Sequence, residues 1–334
     1  MPALAVADAL RAEGAAVTFI GGERAELELV PLAGYQLHSL RLAQLPRRHP
    51  FRAARAAAID AGAVGRAARL VRAASPAAVL GAGGYVAGPV GLAAALTRRP
   101  LVLMEADSHL GLTNRLLAPL ARRVCLSFPV DGLSGERYLV TGRPVPSPVS
   151  DRAAARARFG LEEGETCVLV FGGSQGARSI NHAAIEAFAG ASFRVLHAAG
   201  DRDLPHLRSP GPHYDLRGFI SEFGEALLAS DLVVARAGGS IFEIAAYGRP
   251  AVLIPYPYAT ADHQSANARF MERAGAAVVI EDRELNGPRL AQEVGRLLAD
   301  PSRLAAMARA SASLARPDAA REVARELLSA ARER

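Results

Sequence analysis

The stretch Val168-Leu-Val-Phe-Gly-Gly-Ser-Gln-Gly-Ala-Arg-Ser-Ile-Asn181 sets the reading of the chain. The apolar run Val168 to Phe171 reads as a buried strand, which breaks into Gly172-Gly173-Ser174-Gln175-Gly176, and Ala177 onward reads as helix. Glycines between a strand and a helix let the backbone turn tightly and bring bare N–H groups close to a ligand. A helix N-terminus adds about half a positive charge there, so the turn suits phosphate. The pattern is neither G-x-G-x-x-G nor a P-loop ending in Gly-Lys-Ser/Thr, which argues against a standard dinucleotide fold and against an NTPase. Taken alone, the same residues also describe a tight turn that holds no ligand.

The chain has 334 residues, enough for two domains of ordinary size. Half the residues are apolar, yet no apolar run approaches the about 18 needed to span a bilayer. The opening Met-Pro-Ala-Leu-Ala-Val-Ala-Asp has no basic segment ahead of an apolar core, so no secretory signal is expected. Cys125 and Cys167 fall in or beside expected strands and read as buried free thiols. All 39 basic residues are arginine, which excludes lysine chemistry such as Schiff-base formation. Charge is uneven: positions 1–150 hold 17 Arg against 10 acidic residues, while 151–334 hold 22 against 23. A basic first half points to an anionic partner there. Aromatic residues are few and no recognition motif appears, so no nucleic acid is expected.

Working outward, helix-period and strand-period segments alternate through the first half: a helix over 3–13, strands at Ala15–Ile20, Tyr35–Leu42, Ala77–Leu80, Leu101–Met104 and Val124–Phe128, and helices between them. Residues 142–150, Gly-Arg-Pro-Val-Pro-Ser-Pro-Val-Ser, read as a stiff linker. The alternation restarts with strands near 167–171, 194–198, 214–217, 232–235, 251–254 and 277–280, and the chain is almost wholly helical from Asn286. The expected fold class is therefore α/β, two doubly wound Rossmann-like domains facing a cleft. Such a domain ordinarily opens with a strand, whereas this chain opens inside a helix, so a first strand and its loop are expected to be missing.

A second glycine-rich turn, Arg236-Ala-Gly-Gly-Ser-Ile-Phe-Glu243, follows the strand at 232–235. Gly238, Gly239 and Ser240 again suit phosphate. Glu243 lies one turn into the next helix, where a carboxylate either accepts two hydrogen bonds from a ribose diol or answers the helix dipole. Further on, Pro255-Tyr-Pro-Tyr-Ala-Thr-Ala-Asp-His-Gln-Ser-Ala-Asn267 is a polar loop entering a helix. Asp262, His263, Gln264 and Asn267 are placed to fan out toward sugar hydroxyls, with helix capping as the competing role for Asp262.

In this order, Gly-Gly-Ser-Gln-Gly-Ala, Arg-Ala-Gly-Gly-Ser with Glu243, and Asp-His-Gln-x-x-Asn-Ala resemble glycosyltransferase family 28, the GT-B cell-wall N-acetylglucosaminyltransferases that make lipid II from lipid I. Pro2-Ala-Leu-Ala-Val-Ala, Val79-Leu-Gly-Ala-Gly-Gly-Tyr-Val-Ala-Gly-Pro89, Glu105 and Gly111-Leu-Thr-Asn114 agree, so the resemblance covers essentially the whole chain. It implies an acceptor- and membrane-side domain over 1–141, a linker over 142–150, a UDP-sugar donor domain over 151–316 and a C-terminal helix over 317–334. It implies that Gly173, Ser174 and Gln175, with Gly238, Gly239 and Ser240, hold the diphosphate of UDP-N-acetylglucosamine, that Glu243 takes the ribose and the Ile220 backbone the uracil, and that His263, Gln264 and Asn267 read the sugar. Gly83, Gly84 and Tyr85 would meet the acceptor's pyrophosphate, Asp107 and Asn114 would line the acceptor side, and Glu105 is the catalytic candidate. No cofactor and no metal ligand is implied.

The implied acceptor is lipid I, undecaprenyl-pyrophosphoryl-muramyl-pentapeptide, and the implied place is peripheral, on the cytoplasmic face of the cell membrane. Two departures stand out. The family's Gly-Gly-Thr-x-Gly-His loop and the strand before it would precede Pro2, and on that ground this exact chain is expected to bind UDP-N-acetylglucosamine weakly, to transfer no sugar and to have a marginal first domain. The family's nucleotide-contacting arginine is Pro146 here, with Arg143 as its candidate replacement. An anionic membrane surface is expected against Pro46–Arg72, where Arg47, Arg48, Arg52, Arg55, Arg66, Arg69 and Arg72 alternate with apolar residues, although a solvated helix has the same pattern. Two alternatives stay open: a UDP-N-acetylglucosamine 2-epimerase or other GT-B glycosyltransferase, and a truncated, non-catalytic UDP-sugar binder.

Overall fold

A computed structural model describes residues 2–333 apart from 24–25, 43–49, 174 and 260–261, and describes residues 50–61 by their backbone. The chain divides into two compact units, residues 1–146 with 316–334, and residues 147–315.

The first unit runs α1 (Pro2–Ala12), β1 (Thr18–Gly21), α2 (Glu26–Leu32), β2 (Gln36–Ser39), α3 (Pro50–Ala74), β3 (Val79–Gly81), α4 (Gly84–Leu96), β4 (Leu101–Glu105), α5 (Leu112–Leu117), β5 (Arg123–Leu126) and β6 (Tyr138–Val140). All pairings are parallel, β1 with β2, and β3-β4-β5-β6 in that order. β6 was not legible as a strand: it is short and two of its three residues are exposed. Among the described residues β1 and β3 do not pair, so the progression outward, β1 to β2 one way and β3 to β6 the other, starts from a division. Shared helix layers hold the two sheets together. Ile20 and Val79 pack on one core with Ala67, Val71 and Val90 of α3 and α4. Val17 and Leu80 pack on another with Val6 and Leu10 of α1.

The second unit runs α6 (Arg152–Arg158), β7 (Cys167–Phe171), α7 (Arg178–Ala187), β8 (Arg194–Ala198), β9 (Tyr214–Arg217), α8 (Phe223–Ala229), β10 (Leu232–Ala235), α9 (Ile241–Ala246), β11 (Ala251–Leu253), α10 (His263–Arg273), β12 (Ala277–Val279), α11 (Gly287–Leu298) and α12 (Pro301–Ser313). Each strand expected here forms. One parallel sheet results, in the order β12-β11-β10-β7-β8-β9. β7 and β10 are buried at every position, the continuous apolar pattern of strands covered on both faces. Asn286 and Asp300 accept from the backbone N–H three residues on and so start α11 and α12.

α13 (Ala319–Arg332), read from the sequence as a closing helix after the donor domain, belongs to the first unit, where Val323 and Ala324 join the core of Val6, Val102 and Cys125. Cys125 and Cys167 are free and buried, and burial pushes both thiols up to about 12, outside the range of a reactive thiolate.

Candidate active site

In the second unit the chain moves outward in both directions from the β7–β10 pair, which makes that pair the point where the strand order reverses. Parallel sheets bind ligands outside the carboxyl ends of the strands at such a point. Register places the two glycine turns side by side there: Phe171 pairs with Ala235, and Gly172 and Arg236 are the next residues.

The glycines divide by what surrounds them. A methyl at Gly176 would lie 2.0 Å from the Ala199 carbonyl oxygen, and one at Gly172 would lie 2.2 Å from the Ala177 nitrogen, so these two glycines are required by close backbone approach. Gly173, at φ 91°, faces open space, and the nearest atom to a methyl at Gly238 would be the Gln264 amide nitrogen, 3.9 Å away. The tight glycines shape the turns and the open ones leave backbone for a ligand to approach. Gln175 is exposed, and Gly239 and Ser240 are half-buried with Ser240 at the start of α9. Ser174 lies outside the described residues.

Glu243 is half-buried in the first turn of α9. Ile220 follows β9 with its side chain 3% exposed, beside Phe219, which is exposed. His263 and Gln264 begin α10, and the Gln264 side-chain oxygen accepts the Tyr256 N–H at 3.0 Å. Asn267 does not fan outward: it is buried, and its amide donates to the Ala237 carbonyl at 2.9 Å, fixing α10 against the Gly238 turn. Asp262 makes no backbone cap; at φ 53° it accepts the Ser265 hydroxyl at 2.6 Å.

Sequence reasoning passed over the charges behind these turns. Arg236 is buried and bonds to Asp282 and Ser179. Its signal was available, as the one charge directly after the apolar strand at 232–235. Behind α7, the buried His197 ring sits between the Tyr214 hydroxyl at 2.7 Å and the Asn181 side-chain oxygen at 3.0 Å, and the Asn181 amide donates to Ala199, the residue that Gly176 abuts. Burial lowers the His197 pKa to about 4, so the ring is neutral at pH 7.

The first unit builds its loops with side chains. Gly83 and Gly84, at φ 84° and 75°, start α4, and Tyr85 is exposed beside them. Glu105 ends β4 and is buried, and its carboxylate accepts the N–H of Asp107 at 3.1 Å, the N–H of Gly111 at 2.9 Å and the Asn114 amide at 2.9 Å. Asn114 donates as well to the Met104 carbonyl. Glu105 thus staples the loop from Asp107 to Gly111 instead of reaching out of it, and Asp107 is the half-buried carboxylate that the staple presents. Arg143 donates to the Ala106 carbonyl at 3.2 Å, a bond to this same loop.

Among the described residues no helix is long and apolar enough to cross a membrane. Exposed leucines gather on two neighbouring helices, Leu92 and Leu96 of α4 and Leu112 and Leu116 of α5, with Leu120 just beyond. Gly88 and Gly91 bring the helices together, Gly91 against Leu117. Exposed Arg98, Arg115 and Arg122 are interspersed along the same segments. Of the stretch proposed from sequence for the membrane, residues 46–49 and the side chains of 50–61 lie outside the described residues.

A model of the N-terminal domain of glycosyltransferase family 28 matches residues 1–126, and one of its C-terminal domain matches residues 167–323. A relative from Moorella thermoacetica, named UDP-N-acetylglucosamine–N-acetylmuramyl-(pentapeptide) pyrophosphoryl-undecaprenol N-acetylglucosamine transferase, is 41% identical over 350 aligned residues, covering 98% of this chain and 94% of the relative. The chain belongs to glycosyltransferase family 28. The crystal structure of Acinetobacter baumannii MurG superposes with a TM-score of 0.77 at 27% identity, covering 98% of this chain and 95% of that one. This family's two-domain α/β architecture, GT-B, is the one described above. A Listeria monocytogenes protein described as a putative UDP-N-acetylglucosamine 2-epimerase shares the fold, with a TM-score of 0.72 at 15% identity over 99% of this chain and 93% of that one.

Proposed function

We propose that this chain transfers N-acetylglucosamine from UDP-N-acetylglucosamine to the 4-hydroxyl of the muramyl sugar of lipid I, with inversion, giving lipid II for peptidoglycan synthesis. This replaces the expectation of binding without transfer, because the likeness to the named transferase runs over 98% of the chain. The observation that carries the donor half is the pair of glycine turns set in register at the reversal of strand order. The family relatives' names supply the acceptor.

In this reading the N–H groups around Gly173, Gln175, Gly238, Gly239 and Ser240 hold the diphosphate, Glu243 takes the ribose diol, the Ile220 backbone meets the uracil, and His263 and Gln264 face the sugar. Asn267 holds α10 in place. On the acceptor side Gly83, Gly84 and Tyr85 meet the pyrophosphate. The acceptor oxygen forms its bond to the anomeric carbon as the bond from that carbon to UDP breaks. The hydroxyl proton passes to a carboxylate, and UDP leaves as an anion stabilised by backbone donors. Glu105 already accepts three N–H groups, which favours Asp107 as the proton acceptor and Glu105 as the group that positions it.

The leucines of α4 and α5, with Arg98, Arg115 and Arg122, are the surface we assign to the anionic cytoplasmic face of the membrane: leucines enter the headgroup boundary while arginines meet lipid phosphates. One assay tests the reading, transfer of labelled N-acetylglucosamine to lipid I in vesicles with and without anionic lipid. Expected are labelled lipid II and free UDP, with faster turnover and salt-sensitive co-sedimentation on anionic vesicles. A UDP-bound epimeric sugar as the product, or tight UDP-sugar binding without transfer, would overturn the transferase reading. Equal sedimentation with neutral and anionic vesicles would remove the membrane assignment.

A further inference from the structure

Four segments leave the carboxyl edge of the adjacent strands β12, β11, β10 and β7, and one side chain on the segment after β10 bonds to the other three. Arg236, the first residue after β10, is 8% exposed. Its guanidinium donates to the Asp282 carboxylate at 2.6 Å, beyond β12, and to the Ile254 and Pro255 carbonyls at 3.3 Å, beyond β11. It donates to the Ser179 hydroxyl at 2.8 Å, in the first turn of α7 beyond β7. Ser179 donates in turn to Asp282 at 2.7 Å, and the Tyr256 ring centroid lies 5.4 Å from the cation.

We propose that Arg236 is a positioning residue for the nucleotide-sugar donor, fixing the start of α7 at Ser179 and the chain at Ile254–Pro255 against its own Gly238–Ser240 turn without itself touching phosphate. The inference rests on the donor reading above. Two observations separate this role from direct anion binding. The guanidinium is covered, and its charge is already answered by Asp282. Its donors are spent on groups in three other loops, an arrangement that needs a planar fork. A lysine ammonium offers one point of charge and cannot span it.

Titration of the full chain with UDP-N-acetylglucosamine, alongside steady-state transfer, tests the role. Arg236→Lys should weaken donor binding about 30-fold, seen in the donor KM, with the acceptor KM unchanged and kcat lowered less than threefold. Ser179→Ala, a small change in the same network, should weaken it about fivefold and leave the melting temperature in place. The double variant should lose less than the product of the single losses, because both changes break one network. Wild-type affinity in Arg236→Lys overturns the proposal. So do multiplying losses in the double variant, which would mark independent ligand contacts, or donor and acceptor KM rising together with a lowered melt, which would mark a plain stability residue. The wild-type titration separates the two levels: absence of any UDP-sugar binding there would sink the donor reading itself.

Discussion

The second unit spreads its strands both ways from β7 and β10, which pair along their length, whereas the first spreads β1–β2 and β3–β6 from a place where β1 and β3 do not pair. An unpaired strand edge leaves peptide groups to be satisfied by water or side chains, so the divided sheet depends more on its helix layers. The site loops follow the same contrast. Beside β7 and β10 the turns are set by backbone packed on backbone, Gly176 against Ala199 and Gly172 against Ala177. Beside β4 the loop is set by side chains, Glu105 and Asn114 holding Asp107 and Gly111. Where backbone packs on backbone, as at Gly172 and Gly176, there is no room for an added Cβ, while a loop fixed by side chains yields to the loss of an amide.

The sharpest way to break this comparison is to add atoms to a glycine in each unit. Gly176 sits at φ 71° with no room for a Cβ, whereas Gly84 sits at φ 75° with nothing within 4 Å. Gly176→Val should displace Ala199, abolish measurable UDP-sugar binding and destabilise the second unit by at least about 3 kcal/mol through strain and overpacking. Gly84→Ala should cost about 1–2 kcal/mol, the left-handed backbone penalty alone, and leave donor affinity untouched. Calorimetric melts with and without UDP read both effects, because ligand present at 100 times its Kd stabilises only the state that binds it, by about 2.7 kcal/mol. Equal losses from the two substitutions would end the distinction between packed and open turns.

A smaller effect, specific to the second unit, follows from His197. Its pKa falls to about 4 in the fold because burial disfavours the charged ring, against about 6.5 when unfolded. Between those values the unfolded chain binds the extra proton, so the contribution is present above about pH 6.5 and is lost as pH falls toward 4. The difference is worth about 3 kcal/mol. Denaturant unfolding of the second unit at pH 7 and pH 4.5 should show this loss on top of other acid effects, and His197→Gln should flatten it while costing some stability at pH 7. An unchanged pH slope in that variant would show that another group carries the acid sensitivity.

The strands of the second unit were legible because each is a short, continuous apolar run bounded by glycine or polar residues, such as Val168–Phe171 and Leu232–Ala235. The glycine turns were legible for the same reason. Side-chain direction was not: Asn267 stands in a polar run that reads as ligand-facing, yet helix phase turns it inward to Ala237. Glu105 was singled out by resemblance, but its bonds to Gly111 and Asn114 depend on how the following loop folds back, which spacing does not reveal. The Arg236–Ser179–Asp282 network joins residues far apart in sequence, as does the packing of α13 on α1, and no local pattern encodes either.

The least disruptive change probes the side-chain-built loop. Asn114→Ala removes the amide that donates to both the Glu105 carboxylate and the Met104 carbonyl. Leaving those acceptors short costs roughly 1–3 kcal/mol. The Asn114 side-chain oxygen, however, is itself buried without a partner, and its removal relieves a desolvation cost of similar kind. The two terms oppose, so the net loss in the first unit should be only about 1 kcal/mol. Function should change more than stability, because Glu105 then keeps two of its three donors and the loop carrying Asp107 loosens. The acceptor KM should rise several-fold and kcat should fall, with donor affinity unchanged by titration. A parallel loss of donor affinity would show that the loop beside β4 and the turns beside β7 and β10 do not act as separate half-sites, and the division of labour between the two units would have to be given up.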